Sequence, residues 1–181
     1  MKNLKKHLFS TAIQKILDFL AINATQQFTE KTISEETGVK KSAVNLALRE
    51  LVAEKIVAQR KIGRTSLYNV FDGDYVVREI KILQNILQIS SLIEKLKADS
   101  QKIILFGSSA SGKNTAESDI DIFVLTSKIK MVRNIINSSS LRNKIQLIVK
   151  TPAEMLLINK QKLLFFQEIE RGRVLWENYG Q

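Results

Sequence analysis

The residues best suited to chemistry lie in one segment, in which Gly107-Ser108 is followed after ten residues by Asp119-x-Asp121. A glycine lets the backbone approach a phosphate closely, and the Ser108 hydroxyl and the N–H groups that follow it can donate hydrogen bonds to that phosphate. Because side chains alternate along a strand, Asp119 and Asp121 are expected on one side of it. Paired carboxylates suit Mg²⁺, which combines protein oxygen ligands with substrate phosphates. The segment therefore predicts a site for Mg²⁺ and a nucleoside triphosphate.

A simpler interpretation of the same residues remains open. The run Asp119-Ile120-Asp121-Ile122 has the alternation of any half-exposed strand, and Gly107-Ser108-Ser109 would suit a surface loop. The fixed offset between the Gly-Ser pair and the two aspartates favours the phosphate and metal site.

Taken together, the segment resembles the Gly-Ser-x10-Asp-x-Asp signature of minimal nucleotidyltransferases in the DNA polymerase β superfamily. The resemblance extends over residues 102–177. It implies a mixed β-sheet with flanking helices, and Mg²⁺ with ATP or another nucleoside triphosphate as substrate. It also implies metal-binding and catalytic roles for Asp119 and Asp121, and nucleotide binding by Gly107, Ser108, Ser109 and Lys113.

Two departures from the family pattern concern catalysis. The family places a third carboxylate on a later strand, where Gln146 stands in this chain. An amide can coordinate weakly but cannot act as a base. Glu117 and Glu154 are alternative carboxylates outside that position. The arginine that often follows Gly-Ser is replaced by Ser109, so that Lys113 would supply the positive charge.

The elements needed to position this site alternate between strand and helix. Apolar and alternating runs predict strands at residues 102–106, 119–126, 144–150 and 173–177. Helices are predicted at 128–138, after Pro152 and at 161–170. Phe165-Phe166 and Trp176 are interpreted as core residues.

The first 73 residues predict a different module. Helices near 8–24, 30–37 and 41–52 precede a hairpin at 56–70, and this order resembles a winged helix-turn-helix. Basic and polar residues occur at the third helix and at the hairpin. The residues predicted to bind double-stranded DNA are Lys40, Lys41, Ser42, Asn45, Arg49, Arg60, Lys61 and Arg64. A solvated basic face, or a surface for protein contacts, is the alternative.

A long helix is predicted to link the two parts. Residues 75–99 carry an apolar seam at Ile82, Ile86, Ile89, Ile93 and Leu96. The seam predicts a homodimer that meets partly through this helix. The predicted organisation is 1–73 for the DNA-binding domain, 74–99 for the linking helix and 100–181 for the nucleotidyltransferase-like domain, an α+β fold overall.

Composition narrows the possible functions. The 28 Lys and Arg against 18 Asp and Glu give a net charge of +10, which suits a polyanionic partner. The absence of cysteine excludes disulfides and thiolate zinc sites, and His7 alone cannot form a histidine metal cluster. No apolar run approaches the roughly 18 residues of a membrane span, and no signal-peptide core follows Met1. We therefore expect a soluble, cytoplasmic protein without membrane contact.

Two functions are favoured by these patterns, and a dimeric scaffold is a third, simpler alternative. The chain would be a nucleotidyltransferase with a DNA-binding domain that transfers AMP to an acceptor hydroxyl. Stand-alone members of the family often act as antitoxins that modify a HEPN-type toxin, and the resemblance therefore implies such a toxin as the expected acceptor. Alternatively, it would be a winged-helix transcriptional regulator whose weakened nucleotidyltransferase-like domain only senses nucleotide.

Overall fold

The computed structural model describes residues 4–156 and 160–178 and divides the chain into two units, Asn3–Gln84 and Asn85–Gln181. A helix, α5 (Tyr75–Leu96), begins in the first unit and ends in the second. Within the described ranges, no helix is long and apolar enough to cross a membrane. The division into 1–73, 74–99 and 100–181 stays a prediction.

Four helices form most of the first unit: α1 (Leu4–Leu8), α2 (Ala12–Ile22), α3 (Glu30–Thr37) and α4 (Lys41–Ala53). The segment predicted as a single helix from residue 8 is interrupted, because Thr11 caps a new helix through a reciprocal pair of hydrogen bonds with Gln14. Thr29, which has the same extended backbone conformation as Thr11, caps α3, and Gly38 ends α3 with a φ of 67°. Local capping chemistry therefore sets these helix boundaries.

A hairpin follows the helices. Strand β1 (Ala58–Ile62) pairs with β2 (Thr65–Asn69) in antiparallel register, and Gly63 turns the chain with a φ of 59°. The backbone of Phe28 bridges to Tyr68 of β2 and so ties the hairpin to the helices. Buried side chains from α2, α3, α4 and β2 form one core, which includes Ile16, Leu20, Ile33, Val44, Leu48, Leu51 and Tyr68.

The second unit is built on a four-stranded sheet with the order β5-β4-β3-β6. Its strands are β3 (Lys102–Phe106), β4 (Ile120–Leu125), β5 (Ile145–Lys150) and β6 (Arg173–Glu177). Strand β3 is antiparallel to β4 and β6, whereas β4 and β5 are parallel. The helices of this unit are the end of α5, with α6 (Gly107–Ser111), α7 (Ile129–Asn137), α8 (Pro152–Leu156) and α9 (Lys160–Glu170).

The two faces of this sheet have different cores. One face packs against α5 and α7 through residues that include Ile89, Leu96, Ile122, Val132 and Val149. The other packs against α9 through Ile104, Phe106, Phe123, Phe166 and Ile169. Ile120 and Ile122 point to the face covered by α5 and α7. Since strand side chains alternate, Asp121 between them lies on the α9 face. The end of α9 is therefore on the same side of the sheet as the predicted metal ligands.

The apolar seam of α5 requires a correction. Ile89, Ile93 and Leu96 are buried in the core of the second unit, at 0%, 5% and 0% exposure. These side chains are thus not free to form the subunit interface predicted for them. A periodic apolar stripe does not by itself distinguish packing within a chain from packing between chains. The homodimer itself stays a prediction.

Candidate nucleotide site and basic surface

The Gly-Ser segment, for which a surface loop was the alternative interpretation, forms the short helix α6. Gly107 adopts a φ of 67°, in the left-handed region that favours glycine. Phe106 lies opposite Asp121 in the register of β3 and β4. A methyl group at Gly107 would overlap the Asp121 carboxylate. The Gly-Ser turn and the acidic pair are therefore in contact, and the Asp121 carboxylate lies too close to Gly107 for any larger residue at that position.

The two aspartates differ in environment. Asp119 is exposed just before β4, and Asp121 is partly buried within it. Burial raises the pKa of Asp121, and the negative charges of Asp119 and Glu168 raise that pKa further. A divalent cation would relieve this repulsion, and Mg²⁺ is commonly bound through one or two carboxylates plus substrate phosphates. These residues therefore fit a magnesium ion. No group of three His, Cys, Asp or Glu side chains suited to a metal ion occurs in the described part of the chain.

The candidates for a third carboxylate occupy different places. Gln146 pairs with Asp121 in the parallel register of β4 and β5, so an amide lies directly beside the acidic pair. Glu154 instead caps α8: the Thr151 N–H donates to it over 2.8 Å, and this hydrogen bond lowers the pKa of Glu154. Glu117 is exposed in the turn before β4. Besides Asp119, a carboxylate whose charge raises the pKa of Asp121 is Glu168 of α9, which motif spacing did not indicate.

A cavity of about 430 Å³ opens beside α6. Gly107, Ser108 and Lys113, all predicted to bind nucleotide, line it. Ser109 is different: its side chain is fully buried, and its hydroxyl donates to the Asp119 carbonyl over 3.0 Å. Its hydroxyl therefore joins the Gly-Ser segment to the start of β4. The cavity wall is completed by α9 and the residues after it.

A buried amide pair supports the same segment. The Asn85 side-chain amide donates to the Asn114 side chain over 3.0 Å, and Asn114 donates in return over 3.1 Å. Asn85 also donates to the Ser109 carbonyl over 2.9 Å. Both asparagines are about 3% exposed. The pair fixes the segment after α6 to α5. No local sequence pattern indicates it, because the two residues are 29 positions apart.

The basic surface predicted for DNA lies on the first unit. Three cations of the hairpin, here called the hairpin cations, are exposed: Arg60, Lys61 and Arg64. Four of the predicted residues, in α4 or just before it, are exposed as well: Lys40, Lys41, Ser42 and Arg49. These side chains are placed where solvent or a polyanion can reach them.

Asn45 is less available than predicted. Its amide donates to a Glu30 carboxylate oxygen over 3.0 Å, and the Tyr68 hydroxyl donates to the same oxygen over 3.0 Å. Burial and the Glu30 hydrogen bond raise the pKa of Tyr68. The exposed face of α4 instead presents Leu46, which is 69% exposed. Leu46 was not among the residues predicted to bind DNA, although its spacing from Ser42 and Arg49 places the three on one helical face.

Comparison with known proteins identifies the second unit. The family model described as polymerase beta, nucleotidyltransferase matches residues 84–180, more than half of the 181-residue chain. The chain therefore belongs to the polymerase β nucleotidyltransferase family. Members of this superfamily generally use a nucleoside triphosphate and a divalent metal ion.

Solved structures give more distant similarities. A proposed nucleotidyltransferase from Sulfolobus solfataricus is 18% identical, with a TM-score of 0.35, and the match covers 57% of this chain and 86% of that one. NolR from Sinorhizobium fredii is 19% identical, with a TM-score of 0.32, and the match covers 46% of this chain and 77% of that one. No curated protein matches the chain significantly.

Proposed function

We propose that the second unit transfers a nucleoside monophosphate, AMP from ATP, to the hydroxyl of an acceptor. The observation that carries this proposal is the contact between Gly107 and the Asp121 carboxylate, which joins a phosphate-type turn to an acidic pair. The test is calorimetry with ATP and Mg²⁺. Binding is expected with the unmutated protein and is expected to disappear in a variant carrying Asp119→Asn and Asp121→Asn. Unchanged affinity in this variant would contradict the proposal.

The residues have separate tasks in this reaction. Gly107 and Ser108 would contact the triphosphate, and Asp119 with Asp121 would hold Mg²⁺, which would supply charge neutralisation. The acceptor oxygen forms a bond to the α-phosphorus, the bond between that phosphorus and the β-phosphate oxygen breaks, and pyrophosphate leaves. Gln146 cannot accept the hydroxyl proton. We assign that proton to Glu168, which lines the cavity together with Gly107 and Ser108 and whose charge raises the pKa of Asp121.

The acceptor follows from the resemblance to stand-alone family members. We propose a tyrosine of a HEPN-type toxin protein encoded beside this chain, which would make the chain an antitoxin. The experiment incubates the protein with labelled ATP and Mg²⁺, with and without the neighbouring gene product. Label on that product supports the assignment, and label confined to nucleotide contradicts it.

For the first unit we propose a winged helix-turn-helix that binds double-stranded DNA as a homodimer. The exposed hairpin cations and the exposed face of α4 support this proposal. Neutralising several phosphates releases counterions, so affinity should fall steeply as salt rises. Full-length protein that shows no DNA binding at low salt would contradict the DNA proposal, and light scattering tests the dimer.

A second candidate function is a transcriptional regulator that binds nucleotide without transferring it. The observation that favours it is Gln146 in register with Asp121, where a carboxylate would complete the site. The two candidates differ in a single result, which is whether nucleotide binding is accompanied by covalent transfer.

A further inference from the structure

The cavity beside α6 has a second wall that the sequence motif does not include. One part of the lining comes from Gly107, Ser108 and Lys113, and the second wall is formed by Glu168, Arg171 and Gly172. These last residues end α9 and begin the connection to β6. The site therefore uses side chains about fifty residues beyond the aspartates.

This second wall is held in place by packing and hydrogen bonds. Ile169 is 1% exposed in the core of the α9 face. Gly172 lies so close to β3 that a Cβ atom would overlap the Leu105 carbonyl. Arg173 donates from Nε to the Ala110 carbonyl at 3.2 Å, which joins this connection to α6. The backbone of Arg171 is therefore held between the buried Ile169 and Gly172, which packs against β3.

The charges on the two walls are arranged asymmetrically. Lys113 and Arg171 place two cations on the cavity, while Glu168 acts electrostatically on Asp121. A guanidinium presents a planar pair of donors that matches two phosphate oxygens, and an ammonium acts as a point charge. The aspartates do not line the cavity, but Gly107 lines it and contacts the Asp121 carboxylate. Cations in the cavity and a carboxylate behind Gly107 suit a polyphosphate that carries a metal ion.

We propose that Arg171, which lines the same cavity as Lys113, binds the β- and γ-phosphates of a nucleoside triphosphate, so that the cavity selects triphosphates over monophosphates. This inference rests on the nucleotide site proposed above. Arg171 is exposed and its side chain is not part of the buried core, so replacing it should leave the fold intact. Arg133 on α7, also exposed and outside the cavity lining, is the matched control.

The test is calorimetry with Mg²⁺ and α,β-methylene-ATP, which cannot release pyrophosphate, and in parallel with AMP. Arg171→Ala should weaken binding of the triphosphate analogue at least about tenfold. Arg171→Lys should restore part of the loss, whereas Arg133→Ala should change nothing. Affinity for AMP should change less than about twofold, because the charge-assisted hydrogen bonds are made beyond the α-phosphate.

The outcomes separate this inference from the proposed function. If unmutated protein binds the analogue and Arg171→Ala binds it equally well, the inference is overturned while the nucleotide site remains. An equal loss for the analogue and for AMP would show a structural role and would also overturn it. Unmutated protein that binds neither nucleotide would remove the proposed function and this inference together.

Discussion

Replacing Gly107 with alanine tests whether the Gly-Ser turn and the acidic pair form one site. The new methyl group would meet two penalties. The first is the left-handed backbone at a φ of 67°, which costs a non-glycine residue about 1–2 kcal/mol. The second is overlap with the Asp121 carboxylate. Displacing that side chain from its rotamer adds about 0.5–1.5 kcal/mol.

The chain contains a matched control for the first penalty. Gly38 also has a φ of 67°, and a Cβ atom there would meet nothing within 4 Å. Gly38→Ala should therefore cost about 1–2 kcal/mol, while Gly107→Ala should cost about 1.5–3.5 kcal/mol. Only Gly107→Ala should also weaken binding of ATP with Mg²⁺, because it moves a ligand of the metal.

A double-mutant cycle isolates the overlap. Denaturant unfolding followed by fluorescence of Trp176, the single tryptophan of the chain, reports on the second unit, and far-ultraviolet circular dichroism follows the helices of the first unit, where Gly38 lies. In an Asp121→Ala background, Gly107→Ala should cost only the backbone strain of about 1–2 kcal/mol. If the cost of Gly107→Ala is the same in both backgrounds, the two residues are not coupled and the reasoning about their contact is wrong.

Four further predictions address other parts of the chain. The pKa of Asp121 is raised in the folded protein, so protonated Asp121 stabilises the fold; this stabilisation is fully present below the pKa of the unfolded chain and is lost as pH rises through the folded pKa. Asp121→Asn should therefore raise the melting temperature at neutral pH, and thermal scans at acidic pH should show no such increase. Asn114→Ala should destabilise the second unit by about 1–3 kcal/mol, since one buried Asn85 amide hydrogen loses its acceptor and the Asn85 side-chain oxygen loses its donor; unchanged unfolding in denaturant would contradict the role of the pair. Glu168→Gln should lower the rate of AMP transfer about a hundredfold with nearly unchanged ATP affinity, and an unchanged rate would remove its role as proton acceptor. Alanine at all three hairpin cations should weaken DNA binding on every sequence and reduce the slope of affinity against salt, whereas an effect confined to one sequence would assign them to base contacts.

The sequence could predict most elements of the second unit because their signals are local. Strands such as β3 and β4 are short apolar or alternating runs, and their bounds agree with the predicted ones within about a residue. The contact between Gly107 and Asp121 follows from the motif together with a strand on each side of it. The position of Gln146 beside Asp121 could be expected only from the family resemblance.

The parts that the sequence could not predict depend on contacts between distant residues. Glu168 and Arg171 reach the cavity only because α9 covers one face of the sheet, and no spacing rule connects them to the aspartates. The Ser109 hydroxyl was expected at the nucleotide, but its hydrogen bond to the Asp119 carbonyl follows from the fold of the turn. The α5 seam has the same periodicity whether it packs within one chain or between two.

The most direct test of nucleotidyl transfer compares two labels of ATP. The protein is incubated with Mg²⁺ and the neighbouring gene product, with ATP labelled at the α-phosphate in one sample and at the γ-phosphate in the other. A variant with Asp119→Asn and Asp121→Asn serves as the control. We expect α-label on the acceptor together with free pyrophosphate, and no label from the γ-phosphate. Transfer of the γ-label, or α-label transfer that persists in the double variant, would contradict the account.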